Sequence, residues 1–147
     1  QIERNGALYY RRAAQLIEDP EAREMLLELA AMEDSHEITF ENMRGDPDLL
    51  SAVLGDPEGS AAAYLRAIAA GEVFSPSDNP VDKLLPGVGL DEVLREAIRA
   101  EMASIAFYDG LRELMPAELG RAKVEAIIAE ERSHVVLLTR RLKQRTV

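Results

Sequence analysis

The chain has no cysteine, no tryptophan and only two histidines among 147 residues. Without cysteine there is no disulfide, no thiolate nucleophile and no cysteine-bound zinc or iron–sulfur centre. Basic residues are the minority, 17 against 27 acidic ones, for a net charge of −10. That balance argues against nucleic acid or an anionic membrane surface as partner, and is compatible with attracting cations. No apolar run approaches the length needed to cross a membrane and no signal peptide is recognisable, so a cytoplasmic protein is the expectation. Aromatics make up 5% while apolar residues reach 47% and charged ones 30%. This is the profile of an alanine-, leucine-, glutamate- and arginine-rich helical protein, large enough for one domain with a proper core.

One spacing occurs twice. Glu3 is followed thirty residues later by Glu33-Asp34-Ser35-His36, and Glu101 thirty residues later by Glu131-Arg132-Ser133-His134. A tyrosine stands seven residues after each first glutamate, Tyr10 and Tyr108. Both histidines of the chain therefore sit three residues after a glutamate, in copies offset by 98 residues.

Helical geometry gives this spacing a chemical meaning. Residues at i and i+3 share a helix face, so Glu-x-x-His points a carboxylate and an imidazole the same way. Each pair offers an oxygen and a nitrogen donor, a mixture that suits iron, manganese or zinc. Gathered in a bundle core, Glu3, Glu33, Glu101 and Glu131 would repel one another and lose hydration. Two divalent cations would cancel their charge. Alone, an acidic residue on such a helix is usually solvated, and a histidine on an apolar face is usually a core residue. The matched offsets favour six metal ligands: Glu3, Glu33, His36, Glu101, Glu131 and His134. The neighbours Asp34, Glu37 and Glu130 fall off the inward face and are expected to be solvated.

The chain in order predicts an all-α fold. A first helix over 2–18 carries Ile2, Gly6, Tyr9, Ala13 and Leu16 as its stripe. Glu3 lies so close to Gln1 that the natural chain is expected to begin earlier. Asp19-Pro20 ends this helix, and a second runs from about 21 to 44 with Leu26, Leu29, Glu33, His36, Phe40 and Met43 on one face. Residues 45–90 hold most of the prolines and glycines. They read as a long crossover, with short helices over 48–54 and 60–70 and an irregular stretch over 74–90. Asp91 is the expected N-cap of a third helix bearing Leu94, Ala97, Ile98, Glu101, Ile105, Tyr108 and Leu111. Met115-Pro116 breaks it, and a fourth helix is expected from about 116–118 to 143, with Val124, Ile127, Glu131, His134, Val135 and Leu138 inward. The expectation is one domain built of hairpin 1–44, crossover 45–90 and hairpin 91–147, the hairpins antiparallel and copies of each other.

Glu3, Tyr10, Glu33-x-x-His36, Glu101, Tyr108 and Glu131-x-x-His134 resemble the di-iron box of the ferritin-like superfamily, and within it the rubrerythrin-like branch. The resemblance covers both hairpins. It implies a ferritin-like four-helix bundle in which the four glutamates and two histidines bind two iron ions. Glu33 and Glu131 would be shared by the metals, Glu3 and Glu101 terminal, and each histidine would bind one ion. Tyr10 and Tyr108 match family tyrosines that hydrogen-bond the metal-bound carboxylates. The chain differs from rubrerythrin proper in carrying no cysteine-bound rubredoxin module, so an electron donor would be a separate protein. It also has Ser104 where rubrerythrins tend to place an extra glutamate, a difference that bears on peroxidase chemistry of their kind.

Three functions follow. One is a di-iron oxidoreductase that binds Fe(II) and oxidises it with O2 or peroxide, of ferroxidase or peroxidase type. A second is an iron carrier or storage subunit, for which a homodimer or larger homo-oligomer matters more than turnover. The third is a site of the same design holding manganese or zinc. In each the two hairpins present near-equivalent ligands to the two ions.

Overall fold

The computed structural model describes residues 1–44, 82, 84–115 and 120–145. Among them are four α-helices and no strand: α1 (Ile2–Leu16), α2 (Pro20–Arg44), α3 (Leu90–Leu114) and α4 (Ala122–Gln144). The all-α expectation holds for these residues. The short helices expected over 48–54 and 60–70 lie outside them, as does the expected start of the fourth helix at 116–118.

Local chemistry sets each helix end. Ile17 takes an extended conformation and stops α1 two residues earlier than the sequence pattern suggests. Asp19 then accepts a hydrogen bond from the Ala22 N–H at 3.0 Å, which makes it the N-cap of α2. Pro20 fits the next position because its fixed φ suits the first helical residue and no N–H is lost there. Arg141 of α4 donates to the same Asp19 carboxylate at 2.6 Å, tying the end of α4 to this turn.

Asp91 is not the cap of α3. Gly89 occupies that position, and Asp91 lies inside the first turn, where its charge suits the positive end of the helix. Its carboxylate also accepts from Arg145 Nε at 2.5 Å. Just before it, Gly87 turns the chain with φ +88°, a value that a residue with a Cβ rarely adopts. The turn sends Leu84 into the core. At the other end of α3, Arg121 reaches back and donates from Nε to the Met115 carbonyl at 3.0 Å. This supplies a donor to one of the carbonyls that a helix end leaves unpaired.

α1 packs along α2, and α3 along α4, as two hairpins; α2 meets α4 and α1 meets α3 at only a few places. On the outside of the first hairpin Arg11 pairs with Asp34. The positions 98 residues on carry the reverse, Asp109 and Arg132, 3.8 Å apart. Exposed pairs of this kind add little stability, but both bridge the two helices of one hairpin at matching points of the repeat.

Apolar packing falls into two clusters. One gathers Tyr9, Leu26, Leu29, Val93, Leu94 and Leu138, all fully buried. The other holds Met43, Tyr108, Met115, Val124, Ile127 and Ile128. Each buried aliphatic side chain contributes about 1.5–3 kcal/mol through removal from water. Along every helix a polar layer separates the two clusters: Glu3 on α1, Glu33 and His36 on α2, Glu101 on α3, Glu131 and His134 on α4.

Candidate metal centre

All six residues singled out by the repeat are buried, none more than 4% exposed. Each helix delivers its share by the i, i+3 rule or by a single inward glutamate. His36 Nδ1 lies 3.1 Å from Glu131 Oε1, 3.5 Å from Glu3 Oε2 and 3.8 Å from Glu33 Oε2. His134 Nδ1 lies 2.9 Å from Glu131 Oε2 and 3.4 Å from Glu101 Oε1. The two imidazoles face each other with centroids 6.0 Å apart and planes 22° from parallel. Two groups of donors result, each with its atoms within 4.8 Å of one another: Glu3, Glu33, His36 and Glu131, and Glu33, Glu101, Glu131 and His134. Glu33 and Glu131 belong to both. Either group could hold a metal ion.

The donor atoms fit a cation better than they fit one another. Glu3 Oε2, His36 Nδ1, Glu131 Oε2 and His134 Nδ1 are buried without a hydrogen-bond partner. A buried polar atom left unpaired costs about 1–3 kcal/mol, and four in one layer call for a common partner. The backbone also yields room here. A Cβ added at Gly6 would lie 3.2 Å from Glu33 Cδ and 3.4 Å from its Cγ, so the Glu33 carboxylate rests close against α1 and would have to shift by a few tenths of an ångström to admit a side chain there.

In the metal-free protein these groups would share protons. Burial pushes Glu33 well above the usual carboxylate range; the His36 contact opposes this, while Glu3, Glu101 and Glu131 add to it. Burial likewise pushes Glu101 up to about 8, against the pull of His134 and with the help of the Glu131 charge. For Glu131 burial acts in the same direction, but contacts with His134, His36 and Glu101 outweigh it and bring the group down to about 2. Burial disfavours imidazolium too. Around His134, however, the carboxylates of Glu101 and Glu131 prevail and raise it to about 9. Around His36, Glu131, Glu3 and Glu33 likewise lift the imidazole well above its ordinary value. The layer therefore holds extra protons, which entering cations would displace.

The tyrosines cross between hairpins. Tyr10 Oη donates to Glu101 Oε1 and Tyr108 Oη donates to Glu3 Oε1, so each hairpin steadies the lone glutamate of the other. Burial first, and then the Glu101 charge, holds the Tyr10 hydroxyl well above its usual range, so it remains a donor. Asp34 and Glu37 turn outward to Arg11 and Arg4, off the inward face as expected.

Glu130 is different. Rather than being solvated alone, its carboxylate reaches His36 Nε2 at 2.9 Å while remaining 55% exposed. On the other side His134 Nε2 meets Met32 Sδ at 3.4 Å. Glu130 and Met32 each precede the glutamate of a Glu-x-x-His, so the signal for both was the repeat itself, extended by one position. Periodicity hid them, because both lie off the inward stripe of their own helix yet touch the histidine of the opposite hairpin. Among the described residues no helix is long and apolar enough to cross a membrane. Comparison with protein-family models, with curated proteins and with solved structures finds no match for this chain.

Proposed function

We propose that the chain is a ferritin-like, di-iron carboxylate protein that binds two Fe(II) ions and oxidises them with O2 or peroxide. The observation that supports this reading is the overlap of two donor groups on one pair of carboxylates, Glu33 and Glu131. Two cations there would share those carboxylates and would each have one imidazole and one further carboxylate. Four carboxylates balance two divalent charges, and the nitrogen–oxygen donor set suits iron. Iron supplies one-electron redox chemistry: two Fe(II) give up two electrons, which with two protons convert one H2O2 to two waters or one O2 to H2O2.

The residues of the chain have distinct parts in this reading. Glu33 and Glu131 would serve both ions, while Glu3 and Glu101 would each serve one. Tyr108 and Tyr10 keep those end carboxylates aimed inward through their hydrogen bonds. The apolar clusters above and below the layer limit water, which strengthens each charge contact within it. Glu33, Glu101 and the imidazoles would give up protons as cations enter. Re-reduction of the metals would need an electron donor outside residues 1–147, which hold no cysteine for an iron–sulfur centre.

Anaerobic titration of metal-free protein with Fe(II), followed by one equivalent of peroxide, tests the proposal. Two ions should bind per chain, and one peroxide should oxidise both, seen as near-ultraviolet absorbance. Binding of fewer than two ions, or oxidation no faster than Fe(II) in buffer, would refute it.

A further inference from the structure

The 98-residue repeat is broken at a position that touches both histidines. Position 130 carries glutamate where position 32 carries methionine. Each residue contacts Nε2 of the histidine on the opposite hairpin: Glu130 at 2.9 Å from His36, Met32 at 3.4 Å from His134. The contacts are equivalent in place and unequal in chemistry.

We infer that the two metal positions are unequal in affinity, and that Glu130 makes the position framed by Glu3, Glu33, His36 and Glu131 the tighter one, filled first. The inference rests on the two-metal reading above. A carboxylate only accepts, so His36 presents its Nε2–H to Glu130, which fixes the ring with Nδ1 facing Glu131, Glu3 and Glu33, where a metal would take the lone pair once it displaces the proton there. A histidine held this way is a better-aimed and more basic ligand, and loss of such a partner typically weakens metal affinity by roughly 10- to 100-fold. The thioether of Met32 is a weak acceptor. On its Nε2 side His134 therefore meets a thioether in place of a carboxylate, so that nitrogen has no charged acceptor to hold its N–H and fix the ring. Glu130 is half exposed, so its action runs through the hydrogen bond rather than through a long-range field. It is a positioning residue, separate from the six donors.

Titration of the metal-free full chain with Co(II), followed by calorimetry and by the visible absorption of the bound ion, tests this. The native chain should show two classes of site, one ion in each. Glu130→Ala should weaken the tighter class by roughly 10- to 100-fold and change the spectrum of the first ion bound. Glu130→Asp should restore part of both, and Met32→Glu should tighten the weaker class toward the first. A purely structural role would give neither the spectral change nor the gain from Met32→Glu. Two ions bound with equal affinity, or a Glu130→Ala protein whose two affinities match the native ones, would overturn the inference and leave the two-metal reading standing. Fewer than two ions bound by the native chain would overturn both.

Discussion

Raising pH should destabilise the protein when metal is removed by a chelator. In the folded state Glu101 sits at about 8 against an ordinary 4.5, and His134 at about 9 against 6.5. Both groups bind protons more tightly folded than unfolded. The stability from Glu101 is thus complete below 4.5 and lost as pH climbs to about 8; that from His134 is complete below 6.5 and lost by about 9. The windows overlap between pH 6.5 and 8, where the folded state holds protons that the unfolded chain has released.

Each proton so held costs about 1.4 kcal/mol of stability per pH unit. Glu101 and His134 lie 3.4 Å apart and lose their protons as a pair. Glu101 and His134 alone put one to two protons at stake over that window, a fall of about 2–4 kcal/mol, and Glu33 and His36, raised in the same direction, add to it. On the acid side Glu131, at about 2, works the other way, and its contribution is lost as pH falls below 4.5. Urea unfolding followed by far-ultraviolet circular dichroism, at fixed ionic strength and with chelator present, measures this directly; with no tryptophan in the chain, helix content is the better signal. A metal-free protein whose stability stays level or rises from pH 6.5 to 8 would refute the proton-holding account of the layer. With metal bound the same range should be nearly flat or rising, because cations have replaced the protons.

The donor groups give a pattern of losses. Glu33→Ala and Glu131→Ala should each abolish both bound ions, while Glu3→Ala and Glu101→Ala should each cost mainly one, counted by mass spectrometry of metal per chain. Gly6→Ala should separate stability from binding. A helix gains about 1 kcal/mol from the exchange, but the new Cβ presses on the Glu33 carboxylate at 3.2 Å, so metal affinity should fall while the metal-free melting temperature holds or rises. Leu94→Ala, in a fully buried position away from the donors, should cost 2–5 kcal/mol in urea unfolding and leave metal stoichiometry at two.

Much of this arrangement is legible in the sequence because a helix converts spacing into direction. Glu33 and His36 share a face by arithmetic, and Leu26, Leu29 and Met43 continue that face into the core. The inward placement of Glu131, His134, Val124 and Leu138 follows in the same way. Contacts between hairpins were harder to read. Glu130 lies off the stripe of its own helix, and only the distance between α2 and α4 brings it to His36. The cap of α3 differs from the sequence pattern for a related reason: Asp91 has the side chain of a good cap, but the extended backbone falls at Gly89. Gly6 reads as a weak helix former until Glu33 is seen lying against it.

The centre is also where the two hairpins are joined. Helices approach closely within each hairpin and only locally between them. Several side-chain contacts that bridge the gap gather at the polar layer, Tyr10 to Glu101, Tyr108 to Glu3, His36 to Glu130 and Glu131, and His134 to Met32, while Arg141 to Asp19 and Tyr9 to the Val93 carbonyl bridge it elsewhere. Four carboxylates facing one another there make docking of the hairpins costly unless protons or cations offset the charge. Metal binding and hairpin docking are then one equilibrium. A cation present at 100 times its dissociation constant adds about 2.7 kcal/mol to the folded state. In a domain of this size that is a rise of roughly 5–10 °C in melting temperature. The effect should also be local. Hydrogen exchange in chelated protein should quicken first on α2 around 33–36 and on α4 around 131–134, with the turn held by Asp19, Pro20 and Arg141 still protected. Removal of the metal with no change in melting temperature, or with protection lost evenly along all four helices, would show that the apolar clusters alone hold the hairpins together.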